Sequence, residues 1–196
     1  MKKGLVIGLG IVGFILLLMM WGVGIYNKMV GFEEPISGQW GNVESAYQRR
    51  ADLIPNLVST VKGYADFEQE TLTAVIEARS KATQVTVDPS NISPEELAAF
   101  QQAQAGVGSA LGRLLAVVES YPDLKANQNF MELQTELSRT ENRINVERNR
   151  FNEVVQGYNT YIRKFPAAMF AGIFGFETKG YFKADEGSEK APKVEF

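Results

Sequence analysis

The sequence predicts an all-α protein: an N-terminal transmembrane helix followed by an up-and-down bundle of about four long antiparallel helices. Three observations predict it. A run without a single charge extends from Gly4 to Asn27, bounded by Lys2 and Lys3 on one side and Lys28 on the other. Two later segments carry apolar residues in alternating steps of four and three, the period of a packed helix face rather than of a strand. The segments between them carry helix start and stop signals at loop spacing. The expected organisation is a basic flank at 1–3, a membrane helix at 4–27, a bundle domain at 28–182 and a polar tail at 183–196.

As a helix at ~1.5 Å per residue, Gly4–Asn27 spans about 36 Å, enough for a hydrocarbon core of ~30 Å. Phe14-Ile15-Leu16-Leu17-Leu18-Met19-Met20 is apolar on every face, and Trp21 and Tyr26 stand near the end, where amphipathic rings favour the interface. A cleaved signal peptide fits less well: its apolar region is usually ~7–15 residues, and only Gly22-Val23-Gly24 offers a small-residue cleavage site. Gly8-Leu9-Gly10-Ile11-Val12-Gly13 has the spacing of a dinucleotide-binding loop, but no amphipathic helix and second strand follow it. Gly4 and Gly8 fit better as small residues in a membrane helix. Lys2, Lys3 and the terminal amine precede the helix, and Glu33 and Glu34 follow Lys28. This balance favours the N-terminus in the cytoplasm and the bundle outside.

The first bundle helix is read from Ile36, Trp40, Val43, Tyr47, Arg50, Ile54, Leu57, Val61 and Tyr64. Pro35 suits its first turn, and Pro55 is expected to kink it or to start a second helix behind Asp52. Glu68–Gln84 reads as a further helix with Leu72, Val75 and Ile76 on one side. After a loop around Asp88-Pro89-Ser90-Asn91, Ser93-Pro94-Glu95-Glu96 forms a capping box. That helix continues to the turn Tyr121-Pro122-Asp123, and its Gly106, Gly108 and Gly112 are expected where another helix approaches closely. The last long helix follows Phe130, Leu133, Leu137, Thr140, Ile144, Glu147, Phe151, Val154, Tyr158, Tyr161 and Phe165 to Pro166. An uncharged segment, Ala167–Phe176, comes next. In the polar tail beyond it, Val194 and Phe196 are possible docking points.

Composition removes several chemistries. Without Lys2 and Lys3, 18 basic and 23 acidic residues leave the remainder at about −5, so no attraction for nucleic acid is expected. There is no cysteine, which excludes disulfides, thiolate metal sites and thiol nucleophiles. There is no histidine, which removes the common zinc ligand, the common general base and the Glu-x-x-His pattern of carboxylate di-metal bundles. No metal, cofactor or catalytic residue is expected, and nothing marks the chain as an enzyme.

Three groups of residues stand out as candidates. Arg50 and Glu147 are the only charges in their seams. Placing Ile36 and Phe165 at the same end of an antiparallel pair brings them within about one turn, a candidate structural ion pair. Arg49, Asp52 and Glu141 form a candidate polar cluster, read either as a partner- or anion-binding patch or as helix capping plus ion pairs. Phe170, Ile173, Phe174 and Phe176 form a candidate interfacial segment, with closure of the base of the bundle as the competing arrangement.

Several long words resemble the LemA family of bacterial membrane proteins. They are Tyr47-Gln48-Arg49-Arg50-Ala51-Asp52-Leu53-Ile54-Pro55-Asn56-Leu57-Val58, Val61-Lys62-Gly63-Tyr64, Glu70-Thr71-Leu72-Thr73-Ala74-Val75 and Thr140-Glu141-Asn142-Arg143-Ile144. The end Tyr158-Asn159-x-x-Ile162-x-x-Phe165-Pro166 matches as well, so the resemblance runs from the anchor to about Phe182. It implies a single-pass protein of the bacterial inner membrane with a helical bundle, and one branch of the family is associated with magnetosome membranes. It implies no reaction.

Two functions follow from different classes. One is a membrane-tethered interaction or scaffolding protein whose partners are the lipid bilayer, other membrane or envelope proteins, or its own copies as a homo-oligomer. The other is a sensor or ligand-binding module that regulates a partner, with the glycine-containing helix Glu95–Ser120 as the feature a cavity would use.

Overall fold

Each residue of the first seam from Ile36 to Val61 is buried, Arg50 included. They lie on α1 (Lys2–Lys62), a single helix of 61 residues that also contains the uncharged run. The computed structural model describes residues 2–63, 68–89 and 91–184; Tyr64, Ser90, Val194 and Phe196 lie outside the described residues. Two expectations are corrected here. Pro35 does not open a separate bundle helix, and no second helix starts at Pro55, because α1 runs through both prolines. The first part of α1 is long and apolar enough to cross a membrane, and its large apolar side chains from Val6 to Trp21 are exposed.

The other helices are α2 (Gln69–Gln84), α3 (Pro94–Val118), α4 (Pro122–Lys125), α5 (Gln128–Ile162) and α6 (Ala167–Phe174). Ser93 caps α3 in the expected capping box, its hydroxyl accepting from the Glu96 amide at 3.1 Å. Asn127 caps α5 by accepting from the Phe130 amide. In α2, Leu72, Val75 and Ala82 are buried, while Ile76 faces outward.

α1 and α5 run antiparallel as the main pair. Phe32 stacks on Tyr161 with ring centroids 4.8 Å apart, Trp40 meets Phe151 at 5.8 Å, and Arg50 reaches Glu141. The α5 seam drifts from Val154, Tyr161 and Phe165 to Phe151, Val155, Tyr158 and Ile162. Steps of 3.5 residues lag a helix of 3.6 residues per turn, so the buried stripe moves sideways over several heptads. Phe165 lies beyond the end of α5, in the turn before α6, and stands exposed.

The buried residues form two cores. One joins Ile25–Tyr47 of α1 to Ile144–Ile162 of α5, the start of α3 and α6. The other joins Leu53–Val61 to the α2–α3 hairpin, Leu124, Phe130 and Leu137. The expectation for the α3 glycines is corrected too. A Cβ at Gly106, Gly108 or Gly112 would meet nothing within 4 Å, so packing within the chain does not require them.

After α6, Gly175 closes the helix in the left-handed conformation at φ 78°. The chain then returns along the bundle as an extended strap, 176–184.

Candidate functional site

Two polar constellations hold the buried charges singled out from the sequence, and a third binds the strap to the helices. The first surrounds Arg50, which is 4% exposed between the two cores. Its guanidinium donates to Glu141 Oε2 at 2.9 Å, to the Gln104 side-chain oxygen at 2.8 Å and to the Gln104 carbonyl at 3.0 Å. It also sits 5.1 Å from the centre of the Tyr47 ring. A buried cation thus meets a carboxylate, two neutral acceptors and a π face, which offset its desolvation.

Glu147 is the second. It is 0% exposed, and Gln39 donates to Oε2 at 2.8 Å while Arg143 and Arg150 reach Oε1 at 2.6 and 3.2 Å. The Gln39 hydrogen bond, then the two arginines, hold its carboxyl below the usual range against the opposing effect of burial.

The expected Arg50–Glu147 pair does not form. Both residues are buried as charged seam members, but the register differs. α1 continues below Pro35, so the end of α5 packs at Phe32 and Ile25 rather than at Ile36. Arg50 therefore faces Glu141, six residues from Glu147, or about 9 Å along the helix at ~1.5 Å per residue. Nor do Arg49, Asp52 and Glu141 converge on one patch. Arg49 reaches Glu136 at 3.6 Å, Asp52 accepts from Gln48 at 2.8 Å, and Glu141 serves Arg50.

The third constellation went unread in the sequence. Three side-chain amides each clasp one strap residue by both backbone groups. Asn159 accepts from the Lys179 amide and donates to its carbonyl, both at 2.9 Å. Asn152 does the same for Phe182 at 2.9 Å. From α3, Gln101 donates to the Lys183 carbonyl at 2.8 Å and accepts from its amide at 3.3 Å. The Tyr158 hydroxyl donates to the Glu177 carbonyl at 2.9 Å, and burial first, then Glu33, raises its pKa well above the usual phenol value. Strap side chains add to the hold: Phe182 stacks on Trp40, and the Lys179 ammonium pairs with Glu33 at 3.0 Å. Gly180 passes so close to α3 that a Cβ would stand 2.8 Å from Pro94 Cα. The available signal was the pair Asn152 and Asn159, seven residues apart and each beside a core aromatic.

The interfacial candidates sit beside α1. Phe170 packs edge-on to Trp21 at 5.7 Å, and Tyr26 meets Phe174 at 5.2 Å and Phe176 at 5.6 Å. Ile173 points away and is 74% exposed. A separate open cleft of about 730 Å³ lies between α3 and α5, with Arg50, Gln104, Glu141 and Arg148 on its walls. Among the described residues no cluster of three or more carboxylates, histidines or cysteines is placed to hold a metal.

The sequence profile of the LemA family matches residues 39–196. Magnetosome protein MamQ 2 of Paramagnetospirillum magneticum is 30% identical over 192 residues, covering 89% of this chain and 69% of that protein. Magnetosome protein MamQ of Magnetospirillum gryphiswaldense is 30% identical over 191 residues with the same coverage. Protein LemA of Metamycoplasma hominis is 28% identical over 164 residues, 84% of this chain and 71% of that protein. None of these names is that of an enzyme. With the profile covering most of the bundle and the relatives most of the chain, the protein belongs to the LemA family.

Proposed function

We propose that this chain is a non-enzymatic, single-pass anchored bundle of the bacterial inner membrane that acts as an interaction or scaffolding protein. The observation that carries the reading is the continuity of α1, which enters the bundle from its membrane-spanning part without an intervening loop. A joint of that kind holds a bundle at a set distance and direction from a bilayer, which suits presentation of a face to a partner. The buried charges support the same reading, because Arg50 and Glu147 are occupied by structural partners. The positive N-terminal flank favours a cytoplasmic N-terminus and a bundle on the other side. The partners are other membrane or envelope proteins or further copies of the chain.

A second reading, a ligand-binding module that regulates a partner, is favoured by the cleft between α3 and α5. Photo-cross-linking of the full chain in its own membrane, from positions 108 and 112 on the exposed face of α3, tests the two. The first reading expects adducts with defined proteins or a second copy. A chain that gives no adduct there, and whose Tm rises with a small molecule, would overturn it in favour of the second.

A further inference from the structure

We propose that α6 is a re-entrant membrane segment, whose outward face and groove against α1 contact acyl chains of the leaflet on the bundle side. The proposal rests on the reading of α1 as a membrane anchor. It starts from level. Phe170 packs on Trp21, and a Cβ at Gly22 would stand 3.5 Å from its ring, so α6 sits beside the uncharged run rather than beyond its end at Asn27. The groove between α6 and α1, of about 730 Å³, reaches Ile15 and Leu18, further into the run. Any bilayer that α1 crosses at this depth surrounds α6 as well.

The outward surface of this segment suits that surrounding. Met169 and Ile173, four residues apart on α6, are 63% and 74% exposed, and Phe165 in the turn before it is 78% exposed; no other part of the described chain covers them. From Phe165 to Phe176 there is no charge, whereas Arg163 and Lys164 stand before it and Glu177 after it. The chain therefore dips and returns between charged ends. Its backbone is also prepared for an apolar medium, where unpaired polar groups are costly. The Ala168 and Met169 amides bond to the Lys164 and Pro166 carbonyls at 2.9 and 3.1 Å, and the Gly175 and Phe176 amides both bond to Ala171.

The absence of cysteine makes the test direct, since one engineered cysteine takes one nitroxide label. The full chain is labelled singly at Ile173→Cys, Leu16→Cys and Asn149→Cys and reconstituted in vesicles of phosphatidylcholine and phosphatidylglycerol. Collision with oxygen reports hydrocarbon, and collision with a nickel chelate reports water. The Leu16 label marks the anchor, and Asn149, exposed on α5, marks the aqueous side. The expected result is an oxygen-to-nickel ratio at Ile173 several-fold above that at Asn149 and close to that at Leu16. A water-like ratio at Ile173 with a bilayer-like ratio at Leu16 overturns the proposal and leaves the anchor standing. Shielding of Ile173 from both reagents means that protein covers this face, which also overturns it. A water-like ratio at Leu16 overturns the anchor itself. Helical circular dichroism of each labelled chain confirms that the comparison is between folded proteins.

Discussion

Arg79 on α2 donates from Nε to the carbonyl of Ala51 on α1 at 2.7 Å, the carbonyl that Pro55 leaves without a helical donor. Proline has no amide hydrogen, so the acceptor four residues before it is orphaned, and an unpaired carbonyl inside a bundle is costly. The side chain from the neighbouring helix replaces the missing bond and fastens α2 to α1. Arg79→Met is therefore expected to destabilise the bundle by about 1–3 kcal/mol. In a Pro55→Ala background the amide of residue 55 serves Ala51 itself, so the same substitution costs less. A double-mutant cycle by urea unfolding measures the difference.

The charged seam residues give a second prediction. Arg50→Leu and Glu147→Leu each remove a buried charge whose ionic partners keep contact with water, so each should cost about 1–3 kcal/mol through its lost charge-assisted hydrogen bonds. Because the two residues have separate partners, their losses should add to within about 0.5 kcal/mol. Arg50→Leu combined with Glu141→Leu should instead show coupling.

Acid should weaken the hold on Glu147. Its carboxyl is held below the ordinary 4.5, so the stabilisation is complete above that value and is lost as pH falls through the depressed one. At neutral pH the native protein should be more stable than Glu147→Gln, whose side chain is a neutral isostere. The gap should close as pH drops below 4.5. Melting curves of both proteins across that range give the comparison, and a gap independent of pH would contradict the assignment.

Strap and helices should separate when the amide clasps are cut. Asn152→Ala and Asn159→Ala each remove a donor and an acceptor from buried strap backbone, at a cost of roughly 1–3 kcal/mol. Hydrogen exchange should speed up at the Lys179 and Phe182 amides before it does in α5. Gly180→Ala should act on the same segment through the clash with Pro94.

The all-α class, the long apolar N-terminal helix and the α3 capping box were legible because each rests on local spacing: a four-three period, an uncharged run, Ser93 followed by Glu96. Of the buried charges, Arg50 and Glu147, unlike Arg148 and Lys179, were legible too, since they interrupt otherwise apolar seams. Their partners were not. Register between two antiparallel helices depends on where each one ends, and Pro35 reads as a helix start although α1 passes through it. The strap escaped for a different reason. An extended chain held by side-chain amides through its backbone has no periodicity of its own, and the signal lay in Asn152 and Asn159 on another element.

The central claim is that one helix carries the bundle out of the membrane, and the distance across Pro35 tests it most directly. Nitroxide labels at Val23→Cys and Ser45→Cys, both exposed on α1, are separated by 22 residues in the sequence and fall on nearly the same face. At ~1.5 Å per residue an unbroken helix puts them about 33 Å apart. Double electron–electron resonance on the full chain in lipid nanodiscs should give a narrow distribution centred near that distance. A broad or distinctly shorter distribution would mean that α1 breaks at Pro35 and that the bundle hangs from its anchor by a hinge.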